Sequence, residues 1–196
     1  MKAIFLSFAL FISLVVGGQS LTLVEKKLIQ TVEQQMEQTV QLLRQSVDIN
    51  SGTYNIAGVR AVGELYAKEL RALGFTVEWI LLPDSLKRAG HLAAYRKGTK
   101  GKKLFLIGHL DTVFEPDMPA NPFTQLNDST ATGQGINDMK GGDVAIIAGL
   151  KAMHQLGLLD QTTITVYMTG MKKMRDIPDK YLAEILLLVL NNMILH

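Results

Sequence analysis

The chain has 196 residues, 47% of them hydrophobic, which is enough for a folded domain with an apolar core and argues against a disordered segment. Its formal net charge is only +2, and no basic run is interleaved with aromatic residues, so the composition argues against a nucleic-acid-binding protein. The chain has no cysteine, which excludes disulfides and thiolate ligands, so any metal ion must be held by His, Asp or Glu.

The first 18 residues have the pattern of a secretory signal peptide. Lys2 precedes an apolar run from Ala3 to Val16, and two small residues, Gly17 and Gly18, follow it. The run is short for a transmembrane span of about 20 residues, which makes a membrane anchor the less favoured alternative. We therefore predict that residues 1–18 are cleaved near Gly18 and that the protein is exported, in a bacterium to the periplasm.

The rest of the chain alternates between helical and extended patterns. Apolar spacings of three and four residues predict helices, and short apolar runs predict strands. The predicted helices are 23–47, 56–73 and 142–156, and the predicted strands are 75–82, 90–96, 104–107 and 162–168. This alternation predicts an α/β domain, a three-layer α/β/α sandwich with a largely parallel sheet.

Two of the loops between the predicted elements lead to further predictions. Residues 97–103, KGTKGKK, are interpreted as a basic hairpin turn between two strands. Residues 115–135 contain three prolines and many small polar residues, and a loop of that length is usually functional or poorly ordered. We expect it to form one wall of a cleft. His91, on a predicted strand, is interpreted as structural.

Candidate metal-ligating residues follow the strand at 104–107. Because side chains alternate along a strand, His109 and Asp111 are expected to project to the same side. An imidazole nitrogen can coordinate a metal ion while a nearby carboxylate fixes the orientation of its ring. A lone histidine near the end of a strand is more often structural, and this alternative remains open on the sequence pattern alone.

A second candidate, Asp138, lies between the loop and the helix at 142–156. Its two carboxylate oxygens could bridge two metal ions, although an aspartate before a helix is commonly only its N-cap. In open α/β sheets, sites form outside the carboxyl ends of the strands. His109, Asp138 and the strand end at Thr169 and Gly170 are all expected at that edge.

The segments GHLDTVF and GQGINDMKGGD, in that order, resemble the M20 family of zinc metallopeptidases, and most closely its glutamate carboxypeptidase branch. The resemblance extends from about Val24 to Gly170. It implies that His109 binds one zinc ion, that Asp111 is a catalytic residue supporting that histidine, and that Asp138 bridges two zinc ions. It also implies a cis peptide bond between Asp138 and Met139.

The resemblance further implies a reaction and its partners. The family fold is a zinc-exopeptidase-like α/β/α sandwich, of which residues 19–170 would be an incomplete N-terminal part. The implied activity is hydrolysis of an amide bond that releases a C-terminal amino acid, such as glutamate, from a small peptide or an N-acyl amino acid. Intact members form homodimers through a second domain.

The chain departs from the family after Gly170. Where the family continues with Asp-Glu-Glu, this chain has Met171, Lys172 and Lys173, and a protonated lysine neither binds zinc nor acts as a base. If both lysine codons are AAG, regrouping the DNA by one nucleotide restores Asp-Glu-Glu-Asp-Ala-Gly. We therefore predict a frameshift at Gly170, an out-of-frame tail at 171–196, weak or absent zinc binding and no hydrolysis.

The tail also supports an alternative function. Its segment Tyr181 to Leu195 is strongly apolar and is interpreted as a possible helix, too short to span a membrane comfortably. In this alternative the protein is a non-catalytic exported α/β module whose apolar tail mediates an interaction. A membrane hairpin is the less favoured interpretation of the same segment.

Overall fold

The structure is a computed structural model, which describes residues 20–171 and, beyond them, Leu187 alone. The predicted signal peptide at 1–18 lies outside the described residues, and so does the predicted tail from residue 172 onwards, apart from Leu187. The boundaries predicted for these two segments therefore stay predictions.

Four α-helices form within residues 20–171. They are α1 (Leu23–Gln34), α2 (Met36–Asp48), α3 (Ile56–Ala72) and α4 (Gly141–Gln155). The helix predicted at 23–47 is two helices, because the backbone leaves the helical path at Gln35. The buried Gln35 side chain donates to the carbonyl oxygen of Ala148 on α4, at 2.7 Å, a long-range contact that sequence periodicity does not reveal.

Within the described part of the chain, six strands form two sheets. The strands are β1 (Thr76–Ile80), β2 (His91–Arg96), β3 (Leu104–His109), β4 (Thr124–Asn127), β5 (Thr130–Thr132) and β6 (Ile164–Thr169). The main sheet has the order β1-β2-β6-β3, and β4 pairs with β5 as a small separate sheet within the loop predicted at 115–135. Short helical turns occupy Asp84–Leu86, Ile136–Lys140 and Leu159–Gln161.

The prediction of a largely parallel sheet is supported only in part. Strand β2 is antiparallel to both β1 and β6, and only β3 and β6 are parallel. The parallel pair is joined through α4, as a crossover requires, whereas a short connection of residues 81–90 lets β1 and β2 run antiparallel. The hairpin predicted at 97–103 is wrong, because β6 lies between β2 and β3.

The helices pack against one face of the main sheet. Helices α2, α3 and α4 share a core with alternate residues of β2 and β6, and α1 contacts α2 and α4. The core residues of these two strands are Leu92, Ala94, Ile164, Val166 and Met168. The α/β class is therefore confirmed, but residues 20–171 form two layers, so the three-layer arrangement is not present in the described part of the chain.

The opposite side of the sheet carries a smaller apolar cluster. Its members all lie on strands: Ile80, Ala93, Tyr95, Tyr167 and the partly buried Phe105. No helix among the described residues is long and apolar enough to cross a bilayer.

Candidate metal centre

His109 and Asp138 converge at the carboxyl end of the sheet. His109 is the last residue of β3 and pairs with Thr169 at the end of β6, whereas Asp138 lies in the turn before α4. The His109 Nε2 atom is 3.0 Å from Asp138 Oδ1. The His109 side chain is 10% exposed and that of Asp138 is 59% exposed, so the pair lies at the surface end of a buried strand.

The imidazole of His109 is oriented by the chain two residues later. Its Nδ1 lies 2.9 Å from the backbone carbonyl oxygen of Asp111, which can only accept a hydrogen bond, so Nδ1 carries a proton. The Asp111 carboxylate is farther away, with Oδ1 3.7 Å from Nδ1. Asp111 therefore fixes the ring mainly through its backbone, and not through the side chain that the sequence pattern indicated.

The contact between His109 and Asp138 is compatible with a cation bound between the two side chains. With the proton on Nδ1, a neutral His109 directs the Nε2 lone pair at the Asp138 carboxylate, and two acceptors at 3.0 Å repel unless a proton or a cation lies between them. Two zinc ligands at about 2.1 Å and a tetrahedral angle are about 3.4 Å apart, within a few tenths of the observed separation. The donor set is thus compatible with zinc, and the roles of His109, Asp111 and Asp138 remain predictions.

The peptide bond between Asp138 and Met139 is cis, as the family resemblance implied. Asp138 has extended backbone angles (φ −138°, ψ 89°), and α4 begins at Gly141 without a side-chain cap. The N-cap alternative for Asp138 therefore does not describe this structure. Its carboxylate is directed towards His109.

The loop at residues 50–55, between α2 and α3, contacts the site. Thr53 Oγ1 donates to Asp111 Oδ2 at 2.5 Å, and the Thr53 amide donates to the Thr112 carbonyl at 3.1 Å. Gly52 and Thr112 form an isolated parallel bridge. Because Asp111 is fully buried, Thr53 supplies a hydroxyl proton that this carboxylate needs. No local sequence signal pairs residues this far apart.

Two charged groups are buried beneath the site. Lys140 is fully buried, and its Nζ donates to the Ser46 and Ile49 carbonyls at 2.7 and 2.8 Å. Burial lowers the pKa of Lys140 to about 8 and raises the pKa of the Asp143 carboxyl to about 8, and the attraction between the two opposite charges partly offsets both shifts. Both side chains lie in the interior beneath the turn that contains Asp138, and neither reaches the surface.

A cavity of about 200 Å³ adjoins Asp138. Its lining residues come from the segment after β3 and from the turn before α4: Thr112, Val113, Phe114, Gly133, Gly135, Ile136, Asn137 and Asp138. The loop at 115–135, expected to form a cleft wall, contributes only its end here, through Gly133 and Gly135. The cavity is mostly apolar, so it offers room for a substrate group beside the candidate ligands.

Within residues 20–171 no three His, Asp or Glu side chains are close enough together to hold a metal ion. Of the positions where the family resemblance implied Asp-Glu-Glu, only Met171 is described, and it is buried. The described residues thus bring together two candidate ligands.

Comparisons with known proteins point to one family. Residues 105–171 match the peptidase family M20/M25/M40. Carboxypeptidase G2 from Pseudomonas sp. (strain RS-16) is 33% identical over 144 residues, which are 71% of this chain and 33% of that protein. The chain therefore spans about a third of the length of the curated relative that it matches.

Solved structures share the fold. Human carnosine dipeptidase 1 aligns with a TM-score of 0.66 and 23% identity over 81% of this chain and 37% of that protein. The di-peptidase Dug1p from Saccharomyces cerevisiae aligns with a TM-score of 0.65 and 15% identity, over 82% of this chain and 37% of that protein. At these identities the two structures support the fold alone.

Proposed function

Because residues 105–171 of this chain belong to the peptidase family M20/M25/M40, we propose that the chain is the N-terminal part of a zinc-dependent exopeptidase. The reaction we propose for the intact enzyme is release of a C-terminal amino acid, such as glutamate, from a small peptide or an N-acyl amino acid. The name of its relative carboxypeptidase G2 supports this choice. The observation that carries the proposal is the 3.0 Å approach of His109 Nε2 to Asp138 Oδ1.

The described residues have distinct parts in this function. His109 and Asp138 would hold zinc, the backbone oxygen of Asp111 keeps the Nε2 lone pair of His109 directed at the site, and Thr53 holds the Asp111 carboxylate. Bound zinc supplies polarisation of the scissile carbonyl and a lowered pKa of its bound water. The cavity beside Asp138 would receive an apolar group of the substrate.

We further propose that this chain, as written, does not catalyse hydrolysis. Two protein ligands are fewer than the three or four that each zinc ion normally takes, and Lys172 and Lys173 stand where the resemblance implied carboxylates. A frameshift at Gly170 accounts for that replacement. Export, with a signal peptide at residues 1–18, belongs to the same proposal.

Zinc titration and an N-acyl-glutamate hydrolysis assay test the proposal on the full chain. We expect weak zinc binding that His109→Ala abolishes, no effect of the control substitution His154→Ala on exposed α4 surface, and no hydrolysis. Zinc binding that is unchanged by His109→Ala would contradict the metal site, and zinc-dependent hydrolysis would contradict the inactivity. Lysine codons other than AAG at 172 and 173 would rule out the frameshift.

A non-catalytic exported module is the second candidate. The feature that favours it is the apolar composition of the tail segment Tyr181 to Leu195. In this function the α/β scaffold remains and the tail mediates an interaction. The DNA sequence around codon 170 tests this, because it distinguishes a fragment produced by a frameshift from a module kept by selection.

A further inference from the structure

Asn50, just after α2, lies between the two segments that carry the candidate metal ligands. His109 belongs to the segment at residues 109–114, called the His109 segment, and Asp138 belongs to the segment at residues 133–140, called the Asp138 segment. The two ligands come from different parts of the chain. Their separation is therefore constant only if the two segments are held together.

The side-chain amide of Asn50 contacts both segments. Its Nδ2 atom donates to the Phe114 carbonyl oxygen at 3.0 Å and to Gln134 Oε1 at 3.2 Å. The carbonyl oxygen of Phe114 can only accept a hydrogen bond, so the amide nitrogen of Asn50, and not its oxygen, faces it. A side-chain amide has two N–H hydrogens, and here the His109 segment receives one and the Asp138 segment the other.

The amide oxygen of Asn50 is held by its own loop. Asn50 Oδ1 accepts from the Gly52 backbone amide at 3.3 Å and from Asn55 Nδ2 at 3.1 Å. Asn55 Nδ2 also donates to the backbone oxygen of Asn50 at 2.8 Å. The loop whose Thr53 hydroxyl donates to Asp111 therefore also fixes the rotation of the Asn50 amide.

Gln134, which receives one of these two hydrogens, is itself held in place. It is 5% exposed, its Nε2 donates to the Val47 carbonyl oxygen at 2.9 Å, and its backbone amide donates to the Asn121 carbonyl oxygen at 2.8 Å. Because Val47 lies in the last turn of α2, the Gln134 side chain cannot move freely. A displacement at Asn50 is therefore transmitted to the backbone of the Asp138 segment.

The same two segments form the walls of the cavity beside Asp138. All of its lining residues belong to the His109 segment or to the Asp138 segment. The two walls already approach closely, since a Cβ atom on Gly135 would lie 2.4 Å from Thr112 Cγ2. The contacts of Asn50 with both walls therefore also bear on the width of the cavity.

We propose that Asn50 is a positioning residue that sets the separation of the His109 segment and the Asp138 segment, and with it the separation of the two metal ligands. Its importance for metal binding rests on the zinc site of the proposed function. Asn50 has no chemical step in this proposal, because it acts through the Phe114 carbonyl and the Gln134 side chain.

Asn50→Asp tests the proposal, because aspartate keeps the shape but directs an oxygen without a hydrogen at the Phe114 and Gln134 oxygens. In the full chain without metal, backbone hydrogen exchange measured by mass spectrometry should become at least about tenfold faster in both segments. Thr22→Ala is the control, because it removes the N-cap of α1 and so lowers stability away from the site. It should leave both segments at the wild-type rate. Wild-type exchange of either segment in Asn50→Asp would overturn the proposal.

Binding of Co²⁺, whose visible absorption depends on the geometry of its ligands, gives a second readout. Asn50→Asp should weaken Co²⁺ binding at least about tenfold and change the spectrum of the bound ion, whereas Thr22→Ala should change neither. Faster exchange with unchanged Co²⁺ affinity and spectrum would overturn the role of Asn50 at the metal site. If Co²⁺ binding to the wild type is absent or independent of His109, the proposed zinc site fails, and the exchange rates alone decide whether Asn50 sets the separation of the two segments.

Discussion

At the residue scale, the orientation of a buried polar side chain in this protein follows from whether its neighbour can donate or accept a hydrogen bond. The spacing of His109 and Asp111 suggested a ring held by a carboxylate, but the ring is held by a backbone oxygen and the carboxylate by Thr53. His91 shows the same logic. The Thr169 hydroxyl donates to the Met171 carbonyl, so it accepts from His91 Nδ1 at 3.1 Å.

The burial of His91 predicts a loss of stability in mild acid. Burial lowers the pKa of His91 to about 4 in the folded protein, against about 6.5 when it is unfolded. The unfolded state therefore binds a proton first as the pH falls, and stability falls between pH 6.5 and 4 by up to about 3 kcal/mol. Urea unfolding at pH 7 and pH 4.5 should show a smaller acid loss for His91→Gln than for the wild type.

The exposed His154 provides the control for removing a histidine as such. We expect His154→Gln to keep the wild-type difference between the two pH values. If His91→Gln loses as much stability in acid as the wild type, the buried imidazole is not responsible.

At the element scale, a single buried side chain at each of two helix ends forms hydrogen bonds with the backbone of another helix or its cap. Gln35 separates α1 from α2 by reaching the Ala148 carbonyl on α4, and Lys140, at the start of α4, reaches the Ser46 and Ile49 carbonyls. The last carbonyls of a helix have no partner within the helix. Lys140 therefore closes the C-terminal end of α2 and holds the Asp138 turn against it.

Lys140→Met should destabilise the domain by roughly 2 kcal/mol. Methionine fills a similar volume but leaves the Ser46 and Ile49 oxygens buried without a charged donor, and such hydrogen bonds contribute about 1.5–3 kcal/mol. The free energy of unfolding in urea measures the change.

Lys151→Met is the matched control. Lys151 pairs with Glu69 and keeps 29% of its side chain exposed, so its loss should cost less than about 1 kcal/mol. A cost at Lys140 no larger than at Lys151 would show that the two carbonyls find other partners.

At the scale of the whole molecule, the described part is a two-layer domain with an open edge. Strand β3 is the last strand of the main sheet within residues 20–171, and its Ile107 is 60% exposed. An exposed apolar edge strand offers unpaired backbone groups to a second chain.

Ile107→Lys should therefore weaken self-association of the full chain about tenfold, or about 1.4 kcal/mol, because a charge on an edge strand opposes pairing with another copy. Sedimentation velocity over a range of concentrations measures it. Val113→Lys, at a half-exposed loop position, supplies the same charge away from the strand and should have little effect. Equal effects of both lysines would indicate a general charge effect and not edge pairing.

The sequence by itself determined the elements, because periodicity and turn residues act over a few neighbouring positions. It located α3, α4 and the four strands of the main sheet within about two residues, and it selected His109 and Asp138, whose types and positions at the ends of elements suit a metal. Only the tertiary structure decided the strand order, with β6 inserted between β2 and β3, the single parallel pairing, and the contact of Thr53 with Asp111. These features join residues far apart in the chain, and their energies arise only when the sheet and the helices pack together.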